Sequence, residues 1–577
     1  MMKLALFSYG ILICITMFVW YWLMKPTRDF FLLGDWTTSN LALSQVPASS
    51  WSVWTGKYPE IYKEAPIYKS KQHGYFLHIT DMHIDPDYIQ GATVKSACHQ
   101  LPDLYAEKKK KKQEPVILSG KYGTPGERCD APILLAQETL DWISKEWKDK
   151  LDFVVWTGDN AKHDWDKKRR RKRRHVYELN QRVTDMMMDT FWVNDKIPII
   201  PSFGNNDVYP HNQIGGAEID GDLLMFYERM WRSWMPMQQR SMFRQGGYYV
   251  VQVAPRLNVL TLNSMYFYTK NKAAHNCLHP DSPAAIQLVW FEDQLKKARR
   301  DNEKIYVIGH VPPSPRDYKN TCLTAYMRIA TSYTDVIMGH FFAHLNMDHF
   351  LMFDGRQDAK SVPVMPALDH HLLQQPQQQA FQSNVDQHDE DDDHEVFHTA
   401  RNIEAYMGWL KNMYQNIEPL DDDKNRSPEK PHPPLVVVQV SPSILPIYHP
   451  SFRIYQYEVN PDEDSDDDDG DNGDDDDDDD DDDDEDNLLP HGTLLGYSQY
   501  FANLTKWNEL NTDRPLEYEL EYSTKETYGM QDLTVESYFD LAKLMVEDSV
   551  EGNKLWEIYQ NHMLVKSKNF TSFDDKF

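Results

Sequence analysis

Cysteine is scarce in this chain, with 5 among 577 residues, and one of them, Cys14, lies inside an apolar stretch. The remaining four, Cys98, Cys129, Cys277 and Cys322, are an even number, which suits an oxidising compartment. Three connectivities are open to them. The expected pairs are Cys98 with Cys129 and Cys277 with Cys322, with unpaired buried thiols as the alternative.

A small-residue cleavage site is also missing. Residues 4–24 form an uninterrupted, mostly apolar stretch of membrane-spanning length, with Trp20, Tyr21 and Trp22 where an interfacial aromatic belt would fall. No A-x-A-like site follows before Lys25 and Pro26, so the stretch reads as a retained single-pass anchor and a cleaved signal peptide is the alternative. Flanking charge does not orient it, because Lys3 and the amino terminus oppose Lys25 and Arg28. The cysteine count does better, together with N-glycosylation acceptors at Asn503 and Asn569 and a weaker one at Asn425, where proline follows the Asn-Arg-Ser. They place the bulk of the chain in a secretory lumen and residues 1–3 in the cytosol.

An excess of positive charge is absent as well. The formal charge is -30, but residues 462–486 alone hold 21 acidic side chains, leaving about -9 for the rest. The acidic run reads as a disordered linker, 461–487, with an internal polyanion mimic lying on a basic tract as the sharper alternative. No nucleic-acid partner is expected, and a homo-oligomer stays open. Hydrophobic residues at 41% and 16 Trp indicate a globular fold for most of the remainder.

What the sequence does contain is a series of apolar runs that each end in residues able to bind metal. HITDMHIDPDY places Asp81 and His83 after Tyr75, Phe76 and Leu77; FVVWTGDN ends in Asp159 and Asn160; IPIIPSFGNND sets Asn205, Asn206 and Asp207; KIYVIGHVPP sets His310. DVIMGHFFAHLNMDHF carries His340, His344, Asn346 and His349. One D-x-H string is weak, since such strings arise by chance. Five units of mixed oxygen and imidazole donors at strand ends suit a pair of divalent first-row cations bridged by one carboxylate.

In this order the D-x-H, GD, GN, GH and final His-containing turn resemble the calcineurin-like metallophosphoesterases. IGHVPPS, FFAHLNMDHF and SPSILPIYHPSFRIYQYE are similar to the acid sphingomyelinase-like branch. Within it the similarity points to fungal vacuolar enzymes that cut inorganic polyphosphate internally, and it runs from about Tyr75 to the C-terminus. The resemblance implies an α+β fold, a four-layer β-sandwich flanked by helices, at 73–460. It implies two divalent ions (Mn, Mg, Zn, Co or Fe) and a lumenal enzyme of the vacuole membrane. Asp81 and His83 would hold one metal, Asp159 would bridge, and Asn205, His310 and His344 would hold the other. Asn346 stands where relatives place a second His, with His340 as a substitute, and Ala343 stands where Gly is usual.

Asn206 replaces a His that, in relatives, is taken to protonate the leaving group, and an amide cannot do so. A departing phosphate is a weaker base than an alkoxide, so the loss should matter less for an anhydride than for an ester. His163, Asn206 and His310 are the expected residues at the reacting phosphoryl group, and His211 is a further candidate for substrate contact. Lys167, Lys168, Arg169, Arg170, Arg171, Lys172, Arg173 and Arg174 begin eight positions after Asp159, and a basic tract there would attract a polyanion; a solvated loop or a protease processing site is the bland reading.

The remaining segments are a Ser-, Pro- and Tyr-rich stem at 25–72, helices over 133–147 and 286–299, and an insertion without a core near 356–396, rich in Gln, His and Asp. Closing strands start at Leu435 and Phe452, and a helical cap without chemistry is expected at 488–577. Two rivals remain: a phosphodiesterase acting on sphingomyelin or nucleotides, and a non-catalytic polyanion-binding membrane protein. A cysteine-rich saposin-like domain would favour lipid, and none is visible.

Overall fold

A computed structural model describes residues 73–102, 116–356, 403–420, 434–460, 489–510 and 513–567. The expected anchor and stem, most of the 356–396 insertion, the acidic run, Asn425 and Asn569 lie outside these residues. Among the described residues no helix is long and apolar enough to cross a membrane.

In chain order the strands are β1 (His73–Ile79), β2 (Ile84–Asp85), β3 (Ala131–Pro132), β4 (Phe153–Trp156), β5 (Ile199–Pro201), β6 (Tyr249–Ala254) and β7 (Leu257–Thr261). They continue as β8 (Lys304–Ile308), β9 (Ile337–Phe342), β10 (His349–Asp354), β11 (Leu435–Val440), β12 (Ser451–Glu458), β13 (Leu494–Phe501) and β14 (Glu519–Ser523). Two six-stranded sheets result, ordered β14-β13-β12-β1-β4-β5 and β10-β11-β9-β8-β7-β6, with β2 and β3 as a separate pair. In the first sheet β1, β4 and β5 run parallel; in the second, β7, β8, β9 and β11 do.

The inner strands are nearly continuous apolar runs because both faces are covered. Phe153–Trp156 is buried at every position. Phe76 joins the two sheets: it stacks on Phe153 and Tyr455 within its own sheet, centroids 4.8 Å away in each case, and meets Phe341 of the other edge-on at 5.4 Å. The two expected helices form over Ile133–Glu146 and Pro283–Arg300, the second with Ser282 as N-cap and Pro283 in its first turn, where a missing N–H costs nothing. The family-type α+β architecture is thus present.

The C-terminal segment differs from the helical cap expected of it. It contributes β13 and β14 to the first sheet before its helices at Val535–Val546 and Val550–Met563. A buried polar network explains why it is fused to the core. Arg453 of β12 pairs with Asp348, and Gln499 of β13 donates to Asp348 Oδ2 at 2.9 Å and to Glu521 Oε2 of β14 at 3.0 Å. Burial, reinforced by the Asp348 charge, pushes the Glu521 carboxyl up to about 8.

Both expected disulfides are present: Cys98–Cys129 and Cys277–Cys322, with Cα separations of 5.6 and 5.0 Å.

Candidate metal centre

The turns that leave β1, β4, β5, β8 and β9 meet at the carboxyl ends of the parallel strands, where α/β sheets present their ligand sites. Asp159 is the hub. Its Oδ2 lies 3.3 Å from His83 Nε2 and 3.3 Å from His310 Nε2. Asn206 steers this carboxylate from two sides, its backbone N–H donating to Oδ1 at 2.7 Å and its Nδ2 to Oδ2 at 2.9 Å. Asn205 Oδ1 is 2.9 Å from His310 Nε2, and its Nδ2 is 3.0 Å from His211 Nε2. Ligand atoms of Asp81, His83 and Asp159 all lie within 4.8 Å of one another, as do those of Asp159, His310 and His344.

Each central imidazole is committed at its far nitrogen. His83 Nδ1 is 3.0 Å from the Ala161 carbonyl and His310 Nδ1 is 2.8 Å from the Thr157 carbonyl. A carbonyl only accepts, so Nδ1 carries a proton and Nε2 is the nitrogen turned to the carboxylates, where a bound metal would replace its proton. Burial disfavours charge on both rings. The Asp159 and Asp81 carboxylates nonetheless outweigh it, raising His83 well above the ordinary imidazole value and His310 to about 9.

The backbone is strained where the donors sit. Asp81, His83, Asp159, His344 and Asn346 have φ of 50°, 37°, 57°, 73° and 56°, a region that costs a non-glycine residue about 1–3 kcal/mol. Hydrogen bonds hold it there. Asp81 N–H donates to Gly158 O at 2.9 Å, and the buried Asp207 carboxylate accepts from the backbone N–H of Asp159, Asn160 and Gly204 at 2.7, 2.8 and 2.9 Å. Gly204 must lack a side chain: a Cβ would sit 2.0 Å from Asp159 Oδ1.

Divalent ions fit these residues. Asp81 Oδ1 and Asn346 Oδ1 are buried acceptors without a hydrogen-bond partner, which a cation would satisfy. His340 faces elsewhere, its Nδ1 2.8 Å from Tyr326 Oη, and burial pushes it down to about 3. Ala343 is not among the residues at positive φ, so no glycine is required there. A nearby group, Asp85, Asp87 and His99, already holds a cation: Lys162 Nζ lies 3.0 Å from Asp85 and 3.1 Å from Asp87.

His163 stacks on the His83 ring, centroids 4.2 Å apart, and on Trp165 at 4.4 Å. Asp130 holds its Nδ1 at 2.7 Å, and its Nε2 is buried without a partner. His211, half-buried beside Asn205, is held well below the ordinary imidazole value by burial and by the Arg171 charge. The basic tract divides. Lys167, Lys168, Arg169 and Arg170 are exposed, Arg171 is buried, and Lys172, Arg173 and Arg174 are exposed at the start of the helix Arg173–Met187.

Residues 74–345 match the calcineurin-like phosphoesterase family, and residues 490–576 match the acid sphingomyelin phosphodiesterase C-terminal region. The chain is 32% identical to an endopolyphosphatase of Cryptococcus neoformans var. neoformans over 73% of this chain and 63% of the relative. It is 31% identical to one of Saccharomyces cerevisiae, over 70% and 64%, and 37% identical to one of Debaryomyces hansenii, over 50% and 40%. Its match spans less than two thirds of the length of each of these relatives.

The calcineurin-like match of residues 74–345 points to divalent metal ions at the turns just described. Asp130 and Asp207 are supports of this centre that sequence reasoning missed as such. Asp130 reads in the sequence only as the opening of a helix, and its one further signal is its place next to Cys129. Asp207 resembles a ligand in sequence, yet its oxygens are occupied by backbone N–H groups.

Proposed function

We propose that this chain is a metal-dependent hydrolase that cuts inorganic polyphosphate at internal P–O–P linkages. The observation that carries the reading is the single carboxylate of Asp159 set between two imidazoles whose far nitrogens are fixed, in a chain similar to proteins named endopolyphosphatase. Asp81, His83, Asp159 and Asn346 would hold one divalent ion; Asp159, Asn205, His310 and His344 would hold the second. Bound ions supply Lewis acidity to phosphoryl oxygens and acidify the attacking water.

The chain's own residues do the rest. Asn206 aims the Asp159 carboxylate, and Asp130 orients His163 so that Nε2 meets a phosphoryl oxygen. Asn206 offers no proton, which suits a phosphate leaving group because it is a weak base. The exposed Lys167, Lys168, Arg169 and Arg170 extend a basic surface for the remainder of the polymer.

Residues 4–24, the two disulfides and the sequon at Asn503 support a single-pass enzyme with its catalytic domain in a secretory lumen, and the resemblance adds the vacuole membrane to that reading. The match of residues 490–576 to a sphingomyelin phosphodiesterase region favours a phosphodiesterase as second reading.

The deciding experiment gives the purified full chain long-chain polyphosphate with a divalent ion, then with chelator, and resolves product lengths on a gel. A ladder of intermediate lengths that chelation abolishes is expected. Release of orthophosphate alone would overturn internal cleavage, and faster turnover of a sphingomyelin or nucleotide diester would favour the second reading. No shortening with any divalent ion would leave a polyanion-binding protein.

A further inference from the structure

One member of the basic tract is turned away from solvent. Arg171 is 3% exposed, between exposed stretches on either side. Its Nη1 donates to the carbonyl oxygens of Lys162 and Asn206, at 2.8 and 2.9 Å. Those carbonyls belong to the turns carrying His163 and Asn205, and Asn206 is the residue that grips Asp159. The guanidinium is therefore joined to the metal centre through a single residue.

Its remaining donors are unsatisfied. Nε and Nη2 are buried without a hydrogen-bond acceptor, and the Asp164 Oδ2 oxygen, at 3.8 Å from Nε, is beyond hydrogen-bond reach. A buried guanidinium with two open N–H directions beside a phosphate-handling centre suits a second phosphoryl oxygen pair, which a planar fork meets bidentately. Lys167 to Arg170 are exposed, and Arg169 is already paired with Asp87 at 3.2 Å, so they act as diffuse surface charge.

We propose that Arg171 forms a subsite for the phosphoryl group next to the one attacked, and so makes the centre selective for phosphoric anhydrides over phosphate esters. The inference rests on the polyphosphate reading above. An ester has no neighbouring phosphoryl group and gains nothing from the subsite. In an anhydride the P–O bond breaks with its electron pair leaving on the bridging oxygen. Water supplies the new oxygen to phosphorus and its proton goes to solvent. The neighbouring phosphate, which takes up that charge, is the group Arg171 holds.

The test compares full-length wild type with Arg171→Lys and Arg171→Gln on tripolyphosphate and on p-nitrophenyl phosphate, and measures binding of methylenediphosphonate and of orthophosphate by calorimetry. Loss of a charged hydrogen-bond pair predicts a fall in kcat/KM for tripolyphosphate of about 10- to 100-fold. The ester is expected to change by less than about threefold, and methylenediphosphonate to weaken far more than orthophosphate. An equal loss on both substrates, or no loss on either, overturns the proposal. If Arg171→Gln fails to fold, Arg171→Lys with a wild-type melting temperature carries the comparison, since a point charge cannot reproduce the fork. Wild type that hydrolyses the ester but not tripolyphosphate would instead sink the polyphosphate reading itself.

Discussion

Asp130 grips His163 at two points: Oδ2 accepts its backbone N–H at 3.0 Å, and Oδ1 lies 2.7 Å from Nδ1 of the ring. The carboxylate thereby fixes both where the imidazole sits and which way it faces, leaving Nε2 as the end without a partner, the one proposed above to meet substrate. His163→Ala should lower kcat by about 100-fold or more. Asp130→Asn should cost about tenfold with little change in KM. Because the two act as one unit, the double variant should be no slower than His163→Ala alone. Additive losses in the kinetic cycle would separate them.

Asp159→Asn keeps the size of the hub residue and removes its charge. Metal content measured on the purified protein by elemental analysis should drop by at least one ion per chain, and activity by about 1,000-fold or more. Retained turnover would defeat the dinuclear reading.

Asn346 occupies a left-handed backbone position that histidine tolerates better than most residues. Its Oδ1 is a buried acceptor without a partner, and an amide oxygen is a weaker donor than imidazole to first-row metals. Asn346→His should therefore tighten binding of the more weakly held ion, read as a higher chelator concentration at half-inactivation. A lower concentration would show that Asn346 is no ligand.

Replacing Lys167, Lys168, Arg169 and Arg170 together by Gln removes the exposed charge without disturbing Arg171. KM for long-chain polyphosphate should rise several-fold at low ionic strength, and the difference should shrink as salt approaches about 1 M. Turnover of a short substrate should stay the same, since these side chains are exposed and the ion pair among them, Arg169 with Asp87, lies at the surface.

Glu521 is buried, with Oε1 lacking a partner and its carboxyl raised to about 8. In the unfolded chain it loses its proton near pH 4.3, so between about pH 4.3 and 8 the native state binds more protons than the unfolded one. Stability from this group is full below that window and falls as pH rises through it. Glu521→Gln keeps the hydrogen bond from Gln499 and removes the titration. Thermal melts should show the variant more stable than wild type at pH 8, by about 2 °C or more, and the gap closing towards pH 4. A gap independent of pH would mean that Glu521 is ionised throughout.

The sequence by itself determined which donor-bearing residues end the strands, and Asp81, His83, Asp159, His310 and His344 do come together. Runs such as FVVWTGDN and KIYVIGHV state a buried strand and its polar terminus in one line, because strand burial and turn chemistry are both local. The pairing of cysteines was also legible, as were the helices at Ile133–Glu146 and Pro283–Arg300, whose periodicity needs no partner to be seen. Tertiary structure decided what depends on distance through space. The C-terminal segment looked helical because its strands, β13 and β14, have half their faces exposed and draw their order from pairing with β12. Sequence favours Asn346 over His340 only by its place in the motif, and the direction of β9, which aims His340 at Tyr326, sets His340 aside. Eight consecutive basic residues carry no mark that one is different. Folding the loop over the Lys162 and Asn206 carbonyls buries Arg171 alone, since those two acceptors come from different turns that the chain brings together only in three dimensions.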